Sequence, residues 1–337
     1  MSTTVLDLAT LERLLSAAVA APSIHNTQPW RFRLAPDPVT LELRAAAGRT
    51  LRHTDPAGRA LHVSVGCALS NLRIAVAHHG WEPVARLLPQ PGKPDLLATL
   101  RFGGPVRSQV APELYDAVWR RHSSRLPYSD RPLPTALLAE LTETAHAEGA
   151  RLSVPEPPEV DRLLRLTWEA EQRNRADGAR AVESRRWVHG ADDSALGVPP
   201  EAIGPQDYRE RVPMRDFDAH RHPAVLPARS FEARPVLAVL STAHDRRTDW
   251  LRAGEALERV LLVATAHGVR TSLLHQALEW PELRARLIRI PDGGRVHAQM
   301  LIRLGYGPEG PASPRRTARQ TLERHAPRSQ GRSPDRR

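Results

Sequence analysis

Two glycine-bounded apolar stretches, GCALSNLRIAVAHHG at 66–80 and GEALERVLLVATAHG at 254–268, constrain this chain more than any other feature. Both open and close on glycine at the same separation, and between the glycines Ala68 matches Ala256, Leu69 matches Leu257 and His79 matches His267. Leu72 against Val260 and Ile74 against Leu262 continue the apolar pattern. Each stretch reads as a helix stopped by a C-terminal glycine. A helix that is apolar on nearly every side has to be buried, and the simplest cover for each is the other. Strands with related endings follow, LATLRFGG at 97–104 and MLIRLGYG at 300–307. The pattern predicts an α+β unit that occurs twice, a first copy over 1–110 and a second over 111–310, so that one polypeptide stands in for a joined homodimer.

Hydrophobic periodicity fills in the remainder. It predicts helices over 8–20, 111–121, 134–148, 158–184 and 248–267, and strands near 30–35, 40–44, 150–154, 235–241 and 297–304. The polar helix at 158–184, with Arg162, Arg165, Glu169, Glu171 and Arg173, is expected to be a salt-bridged outer face. Residues 188–232, carrying GVPPEAIGP and RHPAVLPARS, show no clear period and are too long for a plain connection, which points to a lid or flap. The formal charge of +10 suggests a nucleic-acid partner until its distribution is considered. Eight arginines against Glu323 and Asp335 put six of those ten charges in 311–337, a Pro/Ser/Arg-rich tail expected to be largely disordered. No nucleic-acid partner is therefore expected.

No stretch has the apolar length of a membrane helix, and Asp7 and Glu12 interrupt any secretory signal, so a cytoplasmic protein is expected. The single cysteine, Cys67, rules out an internal disulfide and is expected to be a small apolar core residue. The pair His78 and His79 reads as a capping, surface pair. HRH at 220–222 lacks a third ligand, so no metal site is expected.

Two polar stretches stand out against this background. APSIHNTQPWRF at 21–32 breaks an apolar helix at Pro22 and crowds Ser23, His25, Asn26, Thr27 and Gln28 ahead of Trp30 and Phe32, more polar groups than a turn requires. WRRHSSRLPYSDRPL at 119–133 places Arg120, Arg121 and Arg125 among Ser123 and Ser124 at a helix boundary, a grouping suited either to a phosphate or to a solvated basic turn.

Taken together, these two stretches and the repeat resemble the nitroreductase family. APSIHNTQPWRF looks like its flavin-contacting loop and RRHSSR like its phosphate-binding segment. Ordinary members carry both on one short subunit, phosphate segment first, and two subunits make two sites. Here the order is reversed and each element occurs once, as in the long, fused, Acg-type branch. The resemblance implies a nitroreductase-like fold and one FMN site per chain. By position it assigns Pro22, Ser23, His25 and Asn26 to the isoalloxazine ring. Thr27, Gln28 and Trp30 are expected to hold the loop in shape. Arg121, His122, Ser123 and Arg125 are assigned to the phosphate and ribityl chain, with Arg315 and Arg316 as a late basic pair reaching the phosphate. Ser272, Leu273, His275 and Gln276 correspond to the part near the reactive edge, where ordinary members often carry an acidic residue.

The implied activity is an FMN-dependent NAD(P)H oxidoreductase acting on nitro, quinone or similar electron-poor compounds, with NAD(P)H as a transient hydride donor. No side chain is required as catalytic nucleophile, acid or base, since the flavin carries the redox chemistry. The expected partner is a small-molecule acceptor, the expected assembly a monomer acting as a pseudo-dimer. The alternative is an FMN-binding or sequestering protein whose lid blocks turnover.

Overall fold

The computed structural model describes residues 7–37, 39–106, 111–188, 195–217, 226–289 and 296–323. In chain order the first half contains α1 (Leu8–Val19), β1 (Trp30–Leu34), β2 (Thr40–Ala45), α2 (Arg59–His78), β3 (Trp81–Leu87) and β4 (Leu96–Pro105). The second half begins with α3 (Pro112–Arg120), α4 (Thr135–Ala147), β5 (Arg151–Ser153), α5 (Pro157–Ala176), α6 (Gly178–Arg185), α7 (Pro200–Ile203), β6 (Gln206–Asp207) and β7 (Ala228–Arg229). It closes with β8 (Val236–Thr242), α8 (Arg247–Ala266), β9 (Arg270–Leu274), α9 (Pro281–Ala285), β10 (His297–Gly305) and α10 (Ala318–Thr321).

The two predicted apolar helices are α2 and α8, each 20 residues long, and they pack on each other at the centre of the core. They cross at Gly66 and Gly254, whose Cα atoms nearly touch. A Cβ on Gly66 would lie 2.1 Å from the Leu251 carbonyl oxygen, and one on Gly254 would lie 2.1 Å from that of Val63. Only glycine permits this approach. Each helix is flanked by a four-stranded antiparallel sheet, ordered β1-β2-β4-β3 on one side and β5-β8-β10-β9 on the other. In both sheets the long helix joins the second strand to the third, and the third lies at an edge.

Edge strands β3 and β9 escape the periodicity reading. Pro83 and the charged Glu82 and Arg86 disguise β3, a composition an edge strand tolerates because one side of its ladder is unpaired. The polar helix expected over 158–184 is two helices. Asp177 interrupts it and caps α6, accepting the N–H groups of Ala179 and Arg180 at 3.0 and 3.1 Å. Its outer face carries ion pairs such as Arg173 to Glu169 at 2.7 Å, but Glu171, Asn174 and Arg180 turn inward and are buried.

One further expectation needs correction, and two others gain detail. Helix α2 is long and apolar enough to cross a membrane, but 94% of that window is buried inside the protein, so it is a core helix. The tail is ordered as far as it is described. Ala318 and Leu322 supply apolar contacts that its average composition hides, Thr317 and Gln320 form a capping box, and the Glu323 N–H donates to the Phe32 carbonyl at 2.7 Å. Residues 324–337 lie outside the described residues. In the 188–232 segment, Val212, Met214 and Phe231 belong to the main core, and Asp207 gathers the N–H groups of Arg209, Arg211 and Val212. The HRH stretch lies outside the described residues.

Replacing Gly66 by Ala should destabilise the protein by at least about 2–3 kcal/mol, since the new methyl must push two helix backbones apart. Gly48→Ala, with nothing within 4 Å of the added Cβ, should leave the thermal midpoint nearly unchanged; differential scanning calorimetry of the two variants distinguishes them.

Candidate functional site

The N-terminal half of α2 forms one wall of a cavity of about 1070 Å³, counted out to its open mouth. Of the fourteen residues assigned from sequence, the cavity brings together twelve: Pro22, Ser23, His25 and Asn26 from the loop, Arg121, His122, Ser123 and Arg125 from the segment after α3, Leu273, His275 and Gln276 from the end of β9 onward, and Arg315. Ser272 and Arg316 are not on the lining. Ser272 is buried on the strand beside Arg303, and the Arg316 N–H is tied to Gln28 Oε1 at 3.0 Å.

The loop's crowded polar groups bond mainly to protein. Ser23 Oγ accepts the Gln28 N–H at 2.9 Å, and the Ile24 N–H donates to Ser64 Oγ at 3.1 Å. His25, Asn26 and Gln28 take left-handed backbone conformations, with φ of 50°, 52° and 47°, a costly arrangement for residues with a Cβ that surrounding bonds must fix. Asn26 supplies several of those bonds. Its Nδ2 donates to the carbonyls of Gly197 at 2.8 Å and Pro314 at 2.9 Å, while its Oδ1 accepts from Arg315 at 3.0 Å. Asn26 lines the cavity, and its polar atoms also join the loop to the insert and to the 311–315 segment. His25 differs. Its ring lines the cavity edge-on to Phe217, 5.0 Å between centroids, and neither nitrogen has a partner. Burial, then the charge of Arg215, holds its pKa well below the usual histidine range, so the ring is neutral.

One end of the cavity is electropositive. Arg121 donates to the Ala20 carbonyl at 3.0 Å and lies 3.3 Å from Glu258 Oε1, both side chains fully buried. Arg125 donates to the Ala202 carbonyl at 2.7 Å, and burial followed by Arg215 pushes its pKa down to about 10. Burial followed by Arg121 pushes Arg315 down to about 9, a measure of how little counter-charge this end contains. The Nε atoms of Arg121 and Arg315 are buried without hydrogen-bond partners, whereas His122 directs Nδ1 to the Arg120 carbonyl at 3.0 Å. A phosphate would meet these donors and this charge. Beside them Val63, Cys67, Leu257, Leu273 and Met300 form an apolar wall against which a planar ring could lie.

The arginine segment is anchored from behind. Arg303, wholly buried, forms a two-pronged ion pair with Glu232 at 2.5 and 2.6 Å, reaches the Leu126 carbonyl at 3.2 Å and lies 3.7 Å above the Tyr128 ring. Tyr128 in turn donates to the Ser124 carbonyl at 2.8 Å. Gly305 and Gly307 make room for that ring, since a Cβ on either would sit within 2.8 Å of it.

At the opposite end, Arg59 donates to His275 Nε2 at 2.8 Å, which leaves Nδ1–H to donate to Glu279 Oε1 at 3.0 Å. Glu279 is also bound by Arg215 of the insert. Burial alone would raise its pKa, but Arg215 and His275 bring it down to about 2. Arg215, Glu279 and Glu258 were not singled out from sequence. Glu258 gives a faint signal as an acid inside an apolar helix, and Glu279 as an acid four residues after His275. Farther along the α2–α8 contact, Arg73 of α2 is bound to Glu148 at 2.6 Å and to Glu255 of α8 at 2.8 Å.

No family model matches the chain. A Mycobacterium tuberculosis protein named "Putative NAD(P)H nitroreductase Rv3131" is 34% identical over 330 residues, 96% of this chain and 94% of its own. A second from that organism, "Putative NAD(P)H nitroreductase acg", is 31% identical over 325 residues, 94% of this chain and 96% of its own. Among solved structures, a "putative nitroreductase" from Anabaena variabilis superposes over 88% of either chain, with a TM-score of 0.49 and 11% identity.

Substituting Glu232 by Gln should cost about 3–5 kcal/mol, because it strips the counter-charge from a buried arginine. Urea unfolding would measure the loss, and hydrogen exchange should report earlier opening of 121–128 than in the parent protein.

Proposed function

The chain belongs to the nitroreductase family, and from that premise we propose that it is an FMN-dependent oxidoreductase that takes hydride from NAD(P)H and reduces small electron-poor compounds. The observation that carries the cofactor assignment is the anion end of the cavity, where Arg125 and Arg315 gather with Arg121 beside Glu258, and Arg121 and Arg315 retain unpartnered Nε donors. Arg121, Arg125, His122, Ser123 and Arg315 would hold the phosphate, and the apolar wall with Pro22, Ser23 and the neutral His25 would hold the ring. When bound, FMN supplies the hydride and electron transfer. The protein's own residues bind and orient it, and the insert limits access of water. One flavin per chain is expected, since the loop and the arginine segment each occur once in the chain.

A second reading, a flavin-sequestering protein, is favoured by one feature. Val198, Met214, Arg215 and Phe217 of the insert line the cavity, and its Gly197 carbonyl is bonded to Asn26. Such a cover would keep a hydride donor from the ring.

Anaerobic addition of NADPH to protein loaded with FMN separates the two. Rapid bleaching of the yellow absorbance supports the reductase; bleaching by dithionite but not NADPH supports sequestration, and Phe217→Ala should then restore NADPH reduction. Arg121→Ala or Arg125→Ala should weaken FMN binding about 10- to 100-fold, the loss of a charge-assisted hydrogen bond worth ~1.5–3 kcal/mol. Unchanged affinity in both variants would refute the phosphate assignment.

A further inference from the structure

Glu258 is an unusual choice for the middle of a core helix. It projects from α8 with no solvent exposure, 3.3 Å from Arg121 Nε, with the Asn71 side chain as a hydrogen-bonding neighbour. The charged and titratable groups around it are few. Arg121 faces it from the segment after α3, Arg315 from the segment after β10, and Cys67 from α2. Asn71, also on α2, directs its amide nitrogen to the Ala17 carbonyl at 3.1 Å. Two arginines that also face the cavity attract the carboxylate, against the cost of its burial. A buried anion so placed is tolerable only while that attraction lasts.

We propose that Glu258 is the resident counter-ion of the anion end, and that a ligand phosphate displaces it electrostatically: the phosphate takes over Arg121 and Arg315, and the carboxylate takes up one proton from solvent and remains in place as the neutral acid. The proposal rests on the flavin reading above. No heavy atom need move, and the balance is one proton bound per phosphate bound.

The sign of the pH dependence follows. Burial, against the pull of Arg121, already raises the Glu258 pKa to about 7, and a neighbouring phosphate dianion raises it further. Below neutrality Glu258 is already protonated and binding takes up nothing at this site. Above it, each binding event takes up a proton, so the affinity for FMN falls by about tenfold per pH unit. Cys67 stays neutral in this window, its pKa pushed well above the usual range by burial and by Glu258. Arg315 contributes uptake only near and above about 9.

The test is isothermal titration of the full-length apoprotein with FMN and with riboflavin at pH 6 and pH 8, in two phosphate-free buffers of different ionisation enthalpy. FMN should take up close to one proton at pH 8. At pH 6, where the FMN phosphate itself gives up protons, the uptake should vanish. Riboflavin should take up none at either pH. In Glu258→Gln the uptake at pH 8 should be lost and the FMN dissociation constant should flatten between pH 7 and 8.5. If that variant does not fold, the contrast between FMN and riboflavin in the parent protein decides. FMN binding at pH 8 without proton uptake, or uptake that survives in Glu258→Gln, overturns the proposal and leaves the flavin reading standing. Failure of FMN to bind at all overturns the flavin reading itself.

Discussion

The contact between Gly66 and Gly254 is the constraint on which the remaining structure depends. Two helices whose backbones touch bring both sheets within reach of one continuous core, and they fix how the residues on either side of the crossing are aimed. Ala60, Val63, Ser64 and Cys67 face the cavity from α2, and Leu257 meets them from α8. In the register that pairs the two glycines, Cys67 aligns with Glu255 and Ser70 with Glu258. On one side of the crossing a small thiol leaves space; farther along the contact, a carboxylate binds Arg73.

Charge placement follows the same division. The protein buries a large number of arginines, but most are satisfied at once, Arg303 by Glu232, Arg215 by Glu279 and Arg73 by Glu148 and Glu255. Arg59 bonds to Gln299 and His275 instead, and at the anion end of the cavity Arg121, Arg125 and Arg315 rely on backbone carbonyls, the Asn26 amide oxygen and one carboxylate. Burying guanidiniums with so little counter-charge is unfavourable for folding alone. It becomes intelligible if an anion completes the site.

Much of this was legible in the sequence because the signals were local. The glycine spacing marked α2 and α8, and twelve of the assigned positions line one cavity because the polar strings 22–26 and 121–125 and the end of β9 each act over a few residues. What the sequence hid was long-range. No local pattern shows that Gly197 and Pro314 claim the Asn26 amide from positions far along the chain. Glu279 and Arg215 become partners only after the insert folds back, and Asp177 ends α5 by a cap that a helical charge pattern does not reveal. In the tail, average composition likewise cannot register the two apolar side chains and the capping box of 317–322.

The meeting of Asn26 with Pro314 and Arg315 also sets an order of events during synthesis. The loop that opens the cavity is made among the first thirty residues, and the guanidinium that closes its anion end is made nearly three hundred residues later. At roughly 5–20 residues per second, the ribosome keeps the loop waiting many seconds for its partner. In that interval, three left-handed residues lack part of the bonding that holds them, and the arginines after α3 face a cavity with one wall missing. The site is therefore a late product of translation, completed by the chain's last described segment, and a nascent chain stalled before Arg315 would carry the fold's core with an anion end that lacks one of its guanidiniums.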